Sequence, residues 1–89
     1  MGLVMVEIQH IKGARAAVHR IGEMAEKNFT QEICGFLGFD EKTKRYIIQQ
    51  ENNISPEPAS YFLINPLSYL LFKENYKMVA IFHSHIMGN

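Results

Sequence analysis

Eighty-nine residues, 47% of them hydrophobic and 20% charged, describe one small domain with enough apolar material for a core and no room for a second. Nine basic and nine acidic residues cancel and are scattered along the chain, which leaves no electrostatic footprint for nucleic acid or an anionic membrane surface. The single cysteine, Cys34, has no internal disulfide partner, the first residues lack the basic region and apolar core of a signal peptide, and no stretch approaches the ~18 apolar residues of a membrane span; the expected compartment is the cytoplasm.

Val4, Val6 and Ile8 alternate with Met5, Glu7 and Gln9, the period of a strand with one buried face. Over residues 12–28 the period changes. Ala14, Ala17, Val18, Ile21, Met24 and Ala25 recur at helical spacing, with Arg15, Arg20, Glu23, Glu26 and Lys27 on the remaining surface, which predicts an amphipathic helix. Residues 33–39, Ile-Cys-Gly-Phe-Leu-Gly-Phe, form a short apolar run with two glycines and read as a strand buried on both faces. A polar turn at 40–44 leads into a returning strand at 45–50, rich in aromatic and β-branched residues, so the pair reads as a hairpin.

The stretch 51–59 carries Asn52, Asn53, Pro56 and Pro58 and reads as a loop of restricted backbone. Residues 60–64 can form a brief strand. Asn65 and Pro66 then supply an N-cap and a proline at the first helical position, followed by Leu67, Leu70, Leu71 and Glu74 at helical spacing. Residues 78–83 form the last strand. The expected order is β-α-β-β-β-α-β.

That last strand runs into Phe82-His83-Ser84-His85. Two histidines two residues apart on an extended segment point to the same side, a geometry suited to metal, and neutral imidazole is a favoured donor to catalytic zinc, which keeps one coordination position for water. Paired histidines at a strand end are also ordinary surface residues, and spacing does not decide between the two. Glu32 opens the buried strand 33–39, so its carboxylate lies at a sheet end and could serve as general base on a metal-bound water; position alone favours an ordinary exposed glutamate. Cys34 reads as a small core residue, because a catalytic thiol needs an electropositive, partly exposed setting. His10 and His19 have no partner at ligand spacing and read as solvated, and Tyr46, Phe62 and Tyr69 read as core residues.

Four segments taken together resemble a known family: Gln31-Glu32-Ile33-Cys34-Gly35-Phe36-Leu37-Gly38, then Asn52-Asn53, then Tyr61-Phe62-Leu63-Ile64-Asn65-Pro66, then Val79-Ala80-Ile81-Phe82-His83-Ser84-His85. The pattern is similar to the JAB1/MPN/Mov34 metalloproteases, the JAMM zinc peptidases, and most resembles their prokaryotic and phage-tail-associated branches. The resemblance implies an α/β, MPN (JAB1)-like fold with a mixed sheet flanked by helices. It implies Zn²⁺ as cofactor, His83 and His85 as two zinc ligands, Glu32 as the base that activates the zinc-bound water, and Ser84 as a spacer. The substrate it implies is an amide or isopeptide bond in a peptide or in the tail of a ubiquitin-like protein.

In the family a proline follows His-x-His, and then Ser-x-x-Asp, whose aspartate is the third zinc ligand. Here Ile86-Met87-Gly88-Asn89 follows, and Asp40, the one aspartate of the sequence, falls in a turn. The expectation is therefore a single, partial MPN-like domain over residues 1–89 that lacks the C-terminal part of the usual domain and needs a third ligand from elsewhere. Its open sheet edge could pair with a second copy. The alternative is a catalytically silent MPN-like module that binds partner proteins.

Overall fold

A computed structural model describes residues 8–27, 32–57 and 61–84. They form an α/β unit of four strands and two helices: β1 (Ile8–Ile11), α1 (Ala14–Lys27), β2 (Cys34–Asp40), β3 (Arg45–Glu51), α2 (Pro66–Asn75) and β4 (Lys77–His83). The strands make one sheet in the order β1-β3-β2-β4, with every neighbouring pair antiparallel. Among the described residues the expected mixed sheet is thus not found. The reason is topological: α1 joins β1 to β2 and α2 joins β3 to β4, and each crossover leaps over one strand, so the strands that run the same way are never neighbours.

The expected first strand is seen from Ile8 onward, while Val4 and Val6 lie outside the described residues. The fifth strand expected at 60–64 is absent from 61–64, where the backbone is irregular. Ile54 N–H donates to the Leu63 carbonyl at 2.8 Å, and Tyr61 N–H turns back to the Glu57 carbonyl at 3.2 Å, where a ladder would be. The Asn53 amide takes over the rest, accepting from Leu63 N–H at 2.9 Å and donating to the Tyr61 carbonyl at 3.3 Å. Side-chain bonding of this kind competes with regular pairing.

Each face of the sheet has its own core. On the α1 side lie Ala17, Met24, Ile33, Leu37 and Ile48, with Phe82 and Tyr46 packed at the margin. On the α2 side lie Phe36, Ile47 and Phe72, with Ile64, Tyr69, Tyr76 and Met78 around them. β2 runs through both, as an apolar strand buried on two faces must. Its glycines are clearances for aromatic rings. A Cβ on Gly35 would stand 2.6 Å from Phe82 Cζ, and one on Gly38 would stand 2.5 Å from Phe72 Cε1, so each ring takes the space a side chain would fill.

The helices differ in how they use their apolar residues. α1 buries Ala17 and Met24 but leaves Val18 exposed. α2 begins as expected, with Asn65 Oδ1 accepting from Leu67 N–H at 2.9 Å and Pro66 in the first turn. It buries Phe72, however, while Leu67, Leu70 and Leu71 face outward at 61%, 57% and 51% exposure. Val79 and Ile81 on the outer strand β4 are exposed as well, so β4 and α2 together carry five of the ten exposed large hydrophobic side chains among the described residues. Among the described residues no helix is long and apolar enough to cross a membrane.

Candidate functional site

Glu32 lies two residues before β2 begins, and His83 ends β4, the strand beside it. Cys34 is registered with Glu51 on one side and His83 on the other, and directly paired residues of antiparallel strands project to the same face. Glu51, Cys34 and His83 therefore form a row across three strands on the α2 side. One residue further along, the sheet is extended by a reciprocal pair of bonds. Ser84 N–H donates to the Ile33 carbonyl at 2.9 Å, and Ile33 N–H donates to Ser84 Oγ at 2.8 Å. The segment that bears Glu32 is thereby fastened to the segment that bears His83.

Ile33 is 5% exposed in the α1-side core, Cys34 opens β2 in register with His83, and half-buried Glu32 precedes that strand by two residues. His83 is exposed at the strand end and stacks on Phe62, with ring centroids 4.5 Å apart and planes at 28°. His85, the other expected ligand, lies outside the described residues. Among the described residues no three His, Cys, Asp or Glu side chains converge as a metal-binding group.

Cys34 is 1% exposed and free, and its thiol donates to the Glu51 carbonyl at 3.6 Å. Burial first, and then the negative charge of Glu51, push its pKa up, so at neutral pH it is a thiol and a poor nucleophile. Asp40 sits at the other end of β2, a strand of seven residues and thus about 20 Å from the histidine end. There its carboxylate is held below the usual range, chiefly by Lys42 N–H. It is remote from any ligand role beside His83. His10 is exposed, and His19 is exposed and 3.7 Å from Glu23 on the outside of α1.

Three residues at this end of the sheet have roles that the sequence alone does not assign. Glu51 is a buried carboxylate, 7% exposed, that accepts from Gln49 Nε2 at 2.8 Å. Its parity with Ile47 on β3 was the available signal. Asn53 organises the loop through its amide, and Phe62, read as a core residue, lies against His83 instead. The alternation of exposed Tyr61 and Leu63 with half-buried Phe62 and Ile64 marks the inward side of that segment. No protein-family model, curated protein or solved structure matches the chain.

Proposed function

We propose that the chain carries the core of a JAMM-type zinc metallopeptidase centre, acting on amide or isopeptide bonds in a peptide or in the tail of a ubiquitin-like protein. The observation that supports it best is the reciprocal bonding of Ile33 and Ser84. It joins, across 51 residues of sequence, the two segments that the resemblance requires to be neighbours. The donor set fits zinc in part. His83 is an accessible imidazole at a strand end, His85 is the natural second ligand by spacing, and Glu32 is a carboxylate next to Ile33, which bonds to Ser84 beside His83.

In this reading zinc would lower the pKa of a water towards ~7 and polarise the scissile carbonyl. Glu32 accepts the proton of the attacking water and returns it to the departing amine. Ser84 is no nucleophile, since its hydroxyl is engaged with Ile33 and holds β4 to β2. The third ligand is not supplied by Asp40. A lone buried cysteine suits a reducing compartment, and we place the protein in the cytoplasm.

The test compares zinc content and amide hydrolysis in the parent, Glu32→Gln, His83→Ala and His85→Ala. Glu32→Gln should keep the metal and lose about 10²–10⁴-fold in rate, whereas either histidine variant should lose both. A Glu32→Gln protein with its metal and near-normal turnover would overturn the mechanism.

A second reading, a silent module that binds a partner, draws on the exposed Leu67, Leu70, Leu71, Val79 and Ile81. Here the partner is a second copy paired along β4. It requires a parent chain that hydrolyses nothing and sediments as a dimer; a monomer at high concentration counts against it.

A further inference from the structure

We propose that Phe62 is a positioning residue for His83, and that Asn53 holds Phe62 in place. A histidine side chain has several χ1 wells and two ring orientations open to it, and a ring packed on its face narrows that choice. Stacked on Phe62 at 4.5 Å and 28°, the imidazole keeps one plane. The ring beneath it is itself fixed on both sides, for the Asn53 amide donates to the carbonyl of Tyr61 and accepts from the N–H of Leu63, the two neighbours of Phe62. The same amide oxygen accepts from Ser55 N–H at 3.0 Å, and Ile54 N–H reaches the Leu63 carbonyl at 2.8 Å. The loop between β3 and α2 is thus braced where Phe62 meets the histidine.

A ligand whose ring is already oriented loses less freedom on coordination, which is why residues behind a metal ligand alter affinity without touching the ion. The proposal rests on reading His83 as a zinc ligand. Loss of one aromatic stack should weaken zinc binding roughly three- to tenfold.

Two readouts on the full chain decide it: Zn²⁺ affinity by calorimetric titration with zinc chloride, and the three-bond couplings and nuclear Overhauser contacts of the His83 side chain by NMR without metal. In Phe62→Leu the couplings should move to rotamer-averaged values and the affinity should fall as stated. Phe62→Tyr should restore both, and Asn53→Ala, which lies in neither ring, should shift both in the same direction as Phe62→Leu. Should Phe62→Leu not fold, Phe62→Tyr against Asn53→Ala carries the comparison. Unchanged couplings in the Phe62→Leu and Asn53→Ala variants would overturn the proposal, as would averaged couplings with unaltered zinc affinity. A parent that takes up no zinc removes the metal reading of His83, and the couplings alone then decide whether Phe62 orients it.

Discussion

The two ends of β2 are built on different principles. At the Asp40 end the turn is held by local contacts, although Phe39 beside it is still in register with Lys77 of β4. Lys44 N–H returns to the Asp40 carbonyl at 2.8 Å, Lys42 N–H to its carboxylate at 2.9 Å, and Lys44 turns the chain at φ 60°. At the Cys34 end almost nothing is local: Ile33 meets Ser84, Cys34 meets Glu51 and lies in register with His83, and Phe62 arrives from a loop. A turn can be specified by five neighbouring residues, whereas a site that needs side chains from separate strands exists only once the sheet has aligned them.

The largest expected effect comes from the middle of the strand, on which both ends depend. Phe36 is 0% exposed and meets Phe72 and Tyr69 at 5.1 and 6.0 Å between ring centroids. Phe36→Ala should cost about 3–5 kcal/mol in urea unfolding, a large share of a small domain's total. If it costs under ~1 kcal/mol, β2 is not the shared support. Gly38→Ala comes next, since its methyl would stand 2.5 Å from Phe72 Cε1; overpacking of this kind should cost roughly 1–3 kcal/mol by the same measurement.

The contrast between the ends also explains what the sequence made legible. The helix boundaries, the hairpin and the Asn65-Pro66 cap are local signals, and they survive in the structure with shifts of a residue or two. Leu67, Leu70 and Leu71 show where periodicity misleads, for they mark a helix correctly but face away from the sheet, and the aromatic Phe72 packs in their stead. Over residues 61–64 the expected brief strand gives way to bonds from the Asn53 side chain, a competitor that alternation does not reveal. Glu32 and His83 were visible as residues at strand ends. That Ser84 fastens their segments together could be known only from the register of β2 on β4.

Smaller effects sharpen the comparison. Ser84→Ala removes the acceptor for Ile33 N–H, and a half-buried donor left without it should cost about 1–2 kcal/mol. Asp40→Ala removes an exposed local bond at the other end and should cost clearly less than Ser84→Ala. Equal losses in thermal unfolding would dissolve the distinction between a long-range and a local end.

The least effect at neutral pH, and the most specific, is that of Cys34. Its pKa is raised above the ordinary 9.0, by burial and then by Glu51, so the folded chain holds the thiol proton more tightly than the unfolded chain does. The sign follows: the contribution is fully present below the unfolded pKa and is lost as pH rises through the folded one. Stability should therefore be level in this group up to about pH 8, then fall by at most about 1.4 kcal/mol per pH unit above the unfolded value. Lysines and tyrosines titrate in the same range, so the measurement is a difference, the unfolding free energy of the parent minus that of Cys34→Ala from pH 7 to 10. That difference should shrink above pH 9, because the variant has no thiol to ionise when unfolded. A constant difference would mean that Cys34 ionises in the folded sheet as readily as outside it, and that the Cys34 end is open to solvent.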